Sequence, residues 1–333
     1  MSANVGINGF GRMGRLALRA GYARSELRFA HINEIACDAA GAAHLLEFDS
    51  VHGHWPHTCS ARGNTLYIGD APIPCTGEKD LAQVDWSGCE IVIEATGKHH
   101  KTPELLQGYF RQGVKKVIVA APTLGALNLV YGINDHLYEP SRHQVLSAAS
   151  CTTNCLAPLV KVMLESVGIL RGTLTTIHDV TNTQSLLDRG HKDLRRARAA
   201  GMSLIPTSTG SAKAITGIFP ELQGRIDGLA IRVPLANASL VDFVFDAARG
   251  VTVNEINTLF RQAAAGPLRG ILGCEDRPLV SVDFVNDPRS AIVDTLSTQV
   301  TDGTLVKVLA WYDNEWGYVN RLVDLTAKVA RSL

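Results

Sequence analysis

Short apolar runs alternate with stretches of helical composition through the first part of the chain. Asn4-Val5-Gly6-Ile7-Asn8 predicts a strand, Gly9-Phe10-Gly11 breaks it, and Arg12 to Arg24 predicts a helix. A second strand, Leu27 to Ile32, ends at Asn33-Glu34, and Ala39 to Phe48 is again helical. Polar, turn-rich sequence from His52 to Glu78 predicts inserted hairpins. Next come a strand (Cys89 to Ala95), a helix (Pro103 to Gly113) and a strand (Lys116 to Ala121). Leu129 to Ile133 and Gln144 to Ala148 predict further short strands. Strands alternating with helices imply a parallel sheet covered on both faces.

The pattern changes after a predicted helix from Thr152 to Val167. Long alternating stretches follow at Thr173 to His178, Gly228 to Val233, Ser239 to Phe245 and Thr304 to Tyr312. They predict a more open, mainly antiparallel sheet with one packed face. Thr181 to Gly201 is polar, rich in Arg and too long for a simple connection, which marks it as functional. Tyr318 to Leu333 reads as one amphipathic helix. The expected organisation is a doubly wound α/β domain over residues 1–150 and an α+β domain over 151–316. Residues 317–333 are expected to pack back on the first.

Composition narrows the function classes. A chain of 333 residues is long enough for two domains, and 46% apolar with 19% charged residues is ordinary for a globular protein. Lys plus Arg (32) balances Asp plus Glu (32), so no global field draws the chain to nucleic acid or anionic lipid. No basic-then-apolar leader opens it, and no apolar run approaches the ~18 residues of a membrane span. Seven scattered cysteines form neither a disulfide framework nor CxxC metal pairs. A cytoplasmic location, without membrane insertion, is expected.

Gly9-Phe10-Gly11-Arg12-Met13-Gly14 matches GxGxxG, after a predicted strand and at the mouth of a helix. The first glycine permits the turn, the second lets backbone approach a pyrophosphate, and the third lets helix pack against sheet. Glu34 closes the second strand, 20 residues after Gly14, where a carboxylate can accept from ribose hydroxyls. A 2′-phosphate there would meet like charge. The first domain is therefore read as a Rossmann-type NAD-binding domain, with NADP disfavoured.

Ser150-Cys151-Thr152-Thr153-Asn154-Cys155 puts a thiol at the start of a predicted helix. Unpaired helix N–H groups and the positive end of the dipole favour thiolate there, and the thiolate is the nucleophile. Taken alone, the run also suits a cysteine buried at a helix start. Cys155 shares the helix face of Cys151, but no acidic or His residue follows until Glu165, so no metal site is expected and Cys155 is read as packing. His178 ends a β-rich run. Alone it would be structural; with a dinucleotide site and Cys151 it becomes a candidate to take a proton from a hemithioacetal hydroxyl. Downstream, Thr181, Arg195, Arg196, Arg198, Thr207-Ser208-Thr209-Gly210 and Arg232 form polar clusters suited to anions.

The residues resemble the phosphorylating glyceraldehyde-3-phosphate dehydrogenases along nearly the whole chain. The motifs are GINGFGRMGR, HLLEFDSVHG, ASCTTNCLAP, HKDLRRARAA, PTSTGSAKA, RVPLANASLVD, NDPRSAIVD and WYDNEWGYVNR. The resemblance implies NAD-dependent oxidation of glyceraldehyde-3-phosphate through a cysteine hemithioacetal and thioester, in glycolysis. It makes Cys151 the nucleophile and His178 the general base. Thr181 and Arg232 would hold the substrate's phosphate. Ser150, Thr152, Arg196, Thr209 and Gly210 would hold the attacking inorganic phosphate. Gly9, Gly11, Arg12, Met13, Glu34, Lys79, Thr96 and Gly97 would line the cofactor, with Asn314 on the nicotinamide amide and Tyr318 nearby. A homotetramer, with Thr181 to Gly201 at subunit contacts, is implied as well.

Five positions depart from the family's glycolytic pattern. Glu34 stands for Asp, Ala120 for Ser, Lys79 for Arg, and Arg189-Gly190 for a Leu-Pro pair that helps exclude NADP. With HINE, DWSGCE, TTIHDVTNTQ and GPLRGILGCEDRPLVS, they resemble a bacterial branch associated with arsenate resistance. Such an enzyme would use arsenate in place of phosphate and form 1-arseno-3-phosphoglycerate. The alternatives are an erythrose-4-phosphate dehydrogenase, a more distant semialdehyde dehydrogenase, and a catalytically idle NAD-binding or nucleic-acid-associated protein. The intact Thr209-Gly210 opposes the first, the number of shared motifs the second, and retention of both Cys151 and His178 the third.

Overall fold

The computed structural model describes residues 2–333. The chain divides into two compact units, one running up to Ser150 and including Val319–Leu333, the other Cys151–Tyr318. Eleven strands belong to the first unit: β1 (Ala3–Asn8), β2 (Leu27–Asn33), β3 (Phe48–Asp49), β4 (Gly53–His54), β5 (Cys59–Arg62), β6 (Thr65–Ile68), β7 (Ala71–Thr76), β8 (Ile91–Glu94), β9 (Lys116–Val119), β10 (Leu127–Asn128) and β11 (Val145–Ser147). They accompany helices α1 (Arg12–Gly21) and α2 (Ala39–Glu47) and a single turn, α3 (Gln107–Phe110).

Nine of these strands form one sheet in the order β10-β11-β9-β8-β1-β2-β7-β6-β5. All neighbours from β10 to β7 are parallel, and the β5-β6-β7 hairpins extend the edge antiparallel. The chain winds outward from β1 in both directions, the Rossmann arrangement. Such a sheet leaves a ligand crevice at the carboxyl ends of β1 and β8, where the strand order reverses. Both faces are covered, which is why β8 and β9 are buried at every position.

Two predicted elements of this unit do not form. Pro103 to Gly113 is a 3₁₀ segment, Pro103–Leu106, followed by the single turn α3, because Gly108 lowers helix propensity and Gly113 turns the chain at φ +94°. Leu129 to Ile133 is not a strand either. Gly132 turns the chain at φ +81°, and Asn134 Oδ1 accepts the Val130 N–H at 2.7 Å, so a side chain replaces the ladder partner.

The second unit holds α4 (Cys151–Ser166), β12 (Ile169–His178), β13 (Ile205–Ser208), α5 (Ser211–Ile218), β14 (Ile226–Arg232), β15 (Ser239–Ala247), α6 (Val253–Ala265), β16 (Leu272–Glu275), β17 (Ala291–Thr301) and β18 (Leu305–Tyr312). A last helix, α7 (Trp316–Ala330), begins here and belongs to the first unit from Val319 onward. The sheet order is β13-β14-β12-β15-β18-β17-β16. Pairing is antiparallel except at β12–β14 and β16–β17. The central strand β15 alternates strictly between buried and half-buried positions, the signature of one packed face. Hydropathy patterning does not single out α5, α6, β13, β16 or β17.

Buried polar groups tie together the carboxyl ends of the first unit's strands. Asn8 Nδ2 donates to Glu94 Oε2 (2.9 Å), Tyr109 OH donates to the same oxygen (2.6 Å), and Asn33 Nδ2 donates to Asn8 Oδ1 (2.8 Å). Thr76 Oγ1 and the Glu78 N–H complete the set on Asn33 Oδ1. Burial, with Glu94 alongside, pushes the Tyr109 hydroxyl well above its ordinary value, so it acts as a fixed donor. Replacing Tyr109 with Phe leaves a buried carboxylate short of one donor and should cost about 1–3 kcal/mol. Urea unfolding checks this; a midpoint equal to the wild type's would refute it.

Candidate active site

The β1–α1 turn meets the steric demands of a dinucleotide cradle. Gly9 sits at φ +87°, and a Cβ there would lie 2.7 Å from Thr96 N, so Ala95 and Thr96 just after β8 press against the turn, with Gly97 next in the chain at φ +70°. A Cβ on Gly14 would lie 2.2 Å from the Gly9 carbonyl oxygen, whereas one on Gly11 would meet open space. No side chain caps α1 at Gly11, and the positive end of the helix dipole lies at that turn. These features fit a bound pyrophosphate. Met13 lies in the first turn of α1, and Lys79 is exposed beyond β7.

Acidic side chains hold the turn in place. Glu34 Oε2 accepts the Phe10 N–H at 2.7 Å and Oε1 accepts the Ala36 N–H at 2.7 Å. Its carboxylate borders a cleft of about 270 Å³ shared with Asp38, Asn64 and Thr76–Glu78. Arg12 pairs with Asp49. Burial works against that carboxylate, but Arg12 and the N–H groups of Val51 and His52 outweigh it and hold its pKa at about 2.

In the second unit Cys151 begins α4 and His178 ends β12, 27 residues on. Cys151 Sγ lies 3.5 Å from His178 Nε2. Burial alone would raise the thiol pKa, but the imidazole beside it reverses the sign and the pKa is lowered. Burial likewise disfavours the imidazolium, yet Asp179 and Cys151 together push His178 up to about 9. Cys155, on the same helix face but with only the Ala310 carbonyl near its sulfur (4.0 Å), is pushed well above the ordinary thiol value by burial. One helix thus carries two thiols shifted in opposite directions, and the imidazole makes the difference.

Around this pair, Arg232 Nη1 lies 2.6 Å from His178 Nδ1 and donates to the Asp179 carbonyl at 3.0 Å. The parallel β12–β14 register sets His178 opposite Arg232. Arg232 Nε is buried with no hydrogen-bond partner among the described residues, a donor left for an anion. Arg196 Nε donates to Thr207 Oγ1 (2.8 Å) and Nη2 to the Ser208 carbonyl (3.3 Å), which places it beside Thr209 and Gly210 at the start of α5. Its neighbours Arg195 and Arg198 turn instead to the Pro206 carbonyl and to Asp188. Thr181 Oγ1 contacts Thr183 Oγ1 at 2.9 Å. Thr152 Oγ1 lies 2.9 Å from the Tyr312 hydroxyl, which also meets Thr176 Oγ1 at 2.8 Å. Tyr318 is buried on α7, and Ser150 ends the first unit, after Ala149 at φ +56°.

Sequence reading missed three groups here: Asp179, Tyr312 and Ser239. Asp179 Oδ1 lies 2.6 Å from His178 Nδ1, and Asn314 Nδ2 donates to its Oδ2 at 2.7 Å. An acidic residue directly after a strand-end histidine was the available signal.

Residues 3–102 match the family model described as the NAD binding domain of glyceraldehyde 3-phosphate dehydrogenase, and residues 150–314 match its C-terminal domain. The chain belongs to the glyceraldehyde-3-phosphate dehydrogenase family. It is an NAD-dependent oxidoreductase of that family. Among its relatives, glyceraldehyde-3-phosphate dehydrogenase 3 of Nostoc sp. strain PCC 7120 is 59% identical over the full length of both chains. Glyceraldehyde-3-phosphate dehydrogenase 1 of Bacillus cereus is 49% identical over 97% of each chain, and the enzyme of Geobacillus stearothermophilus 46% identical over 99% of each. No helix among the described residues is long and apolar enough to cross a membrane.

The lowered thiol pKa is measurable in this dehydrogenase. Its thiolate should persist below the ordinary thiol range and be lost only as pH falls through the lowered value. Alkylation by iodoacetamide, mapped by mass spectrometry, should be fast at Cys151 at about pH 7 and slow at Cys155. A Cys151 rate that rises only above about pH 8.5 would contradict the pairing.

Proposed function

We propose that this enzyme oxidises glyceraldehyde-3-phosphate with NAD and inorganic phosphate, through a thioester on Cys151. The observation that carries the reading is the 3.5 Å approach of Cys151 Sγ to His178 Nε2, with the thiol pKa lowered. The Cys151 thiolate attacks the aldehyde carbon to form a hemithioacetal, whose oxygen takes up the Nε2 proton of the His178 imidazolium and leaves that ring neutral. His178 Nε2 then removes that hydroxyl proton as the carbon is oxidised. NAD, when bound, supplies the hydride acceptor. The carbon is now an acyl group on sulfur, and phosphate attack releases the acyl phosphate and returns the thiolate. The Cys151 N–H and His178 would steady the oxyanion that develops at each addition.

Arg232 and Thr181 would hold the substrate's own phosphate, a role supported by the unpartnered buried Nε of Arg232. Ser150, Thr152, Arg196, Thr209 and Gly210 would take the inorganic anion. Arsenate has the same charge and shape, so this set would also accept it and give 1-arseno-3-phosphoglycerate; resemblance to the arsenate-resistance branch supports that use. Leu186, Leu187, Leu194, Met202 and Leu204 are 70–88% exposed in and just beyond the Arg-rich segment, which supports burial against a second copy and a homotetramer. Seven free cysteines support a cytoplasmic location.

Steady-state rates with glyceraldehyde-3-phosphate or erythrose-4-phosphate, phosphate or arsenate, and NAD or NADP test the assignment. The expected preference is glyceraldehyde-3-phosphate with NAD, and a higher kcat/KM on erythrose-4-phosphate would overturn it. Cys151→Ser should abolish oxidation while NAD still binds; normal turnover in that variant would remove the thiol from the mechanism. Sedimentation should give four copies, and Leu186→Asp with Leu187→Asp should lower that number.

A further inference from the structure

We infer that Asp179 is a positioning residue for His178, so that the reactive pair is a thiol–imidazole–carboxylate triad. The inference rests on the thiol chemistry proposed above and adds a residue to it.

The geometry carries the argument. Asp179 is 1% exposed, and its Oδ1 lies 2.6 Å from His178 Nδ1, the ring nitrogen away from the thiol. Other elements fix the carboxylate. Asn314 Nδ2 donates to Oδ2 at 2.7 Å, Ser239 Oγ donates to Oδ1 at 3.3 Å, and the Asp179 N–H reaches Ser239 Oγ at 3.1 Å. Such a side chain cannot swing away as a surface partner would, and a carboxylate buried this deeply is stable only while paired.

His178 Nδ1 has a second suitor. Arg232 Nη1 lies 2.6 Å from it, and a guanidinium can only donate. Nδ1 therefore has two possible states. Without its proton it accepts from Arg232, and the ring is neutral. With its proton it donates to Asp179, and Nε2 is free to take the Cys151 proton, which makes the ring an imidazolium whose Nε2–H faces Cys151 Sγ. Asp179 selects the second state and offsets the charge of Arg232 while doing so. The titratable and charged groups facing the imidazole are Cys151 from α4, Arg232 from β14, Tyr312 from β18, and Asp179 at the end of its own strand. Two acceptors lie at Nδ1, the Asp179 carboxylate at 2.6 Å and the Asp179 main-chain carbonyl at 3.0 Å, and of these the carboxylate alone carries the negative charge that favours the imidazolium. Cys151 lies at Nε2 and the Tyr312 ring meets the imidazole edge-on at 81°.

The test is the pH profile of iodoacetamide alkylation at Cys151 in the full-length enzyme, for wild type, Asp179→Asn, Asp179→Glu and His178→Asn. Asp179→Asn should slow alkylation at about pH 6.5 by about tenfold or more, the effect of one pKa unit, and should converge on the wild-type rate above about pH 9.5, where the thiolate forms unaided. Asp179→Glu should recover part of the loss. A purely structural role would not give rates that converge at high pH. An Asp179→Asn profile that overlays the wild type's, while His178→Asn is slow, overturns the role of Asp179 and leaves the thiol–imidazole pair standing. If His178→Asn also overlays wild type, the pair itself fails. Should Asp179→Asn not fold, the His178 imidazole of the wild-type enzyme is titrated by NMR. An Nδ1 proton retained above about pH 8 supports the triad, and one lost near the ordinary value of about 6.5 overturns it.

Discussion

A thiol and an imidazole, each costly to ionise when buried alone, share one site at the start of α4, and each favours the other's charged form. Burial opposes both charges, as Cys155 shows by being pushed up in the same helix without an imidazole beside it. At 3.5 Å the attraction between Cys151 and His178 outweighs that opposition. Three features of the second unit serve the contact. Tyr312 places a neutral hydroxyl between Thr152 and Thr176 and closes the floor of the site. Asp179 and Arg232 surround the far side of the imidazole, one with each sign of charge. A buried group of this kind is stable only as a satisfied set, which explains why so many partners converge on one ring.

The scaffold supplies this convergence through strand register. Parallel pairing of β12 with β14 in a mainly antiparallel sheet brings two strand ends, and with them His178 and Arg232, to one level. Had those strands paired antiparallel, the start of β14 would lie beside His178, and Arg232 would lie at the opposite edge. The first unit uses the same device differently. Its strands from β10 to β7 run one way, so Asn8, Asn33, Glu94 and Thr76 meet at their carboxyl ends and join one polar network beside the glycine turn. The cradle is rigid because its neighbours are hydrogen-bonded to one another.

Local chemistry was legible in the sequence wherever neighbours in the chain set it. Buried parallel strands appear as continuous apolar runs, so β1, β2, β8 and β9 stood out. The spacing of Gly9, Gly11 and Gly14 follows from contacts within one turn. A cysteine at a helix start is equally a local fact. Patterning failed where a side chain or a glycine interrupted it, as at Asn134 and Gly132, and where polar positions blurred the period, as in α6 and β17.

Sequence by itself determined the two kinds of domain, the phosphate-ready turn and the thiol at a helix N-terminus, because each depends on residues within a few positions of one another. The tertiary structure decided which groups touch the imidazole. Asp179 adjoins His178 in the chain, yet its carboxylate is held by Ser239 and Asn314, 60 and 135 residues away. Arg232 reaches the same nitrogen across 54 residues. Those distances are closed by sheet pairing, which no local pattern encodes, and the electrostatics of the site are strong only at the few ångströms that pairing produces.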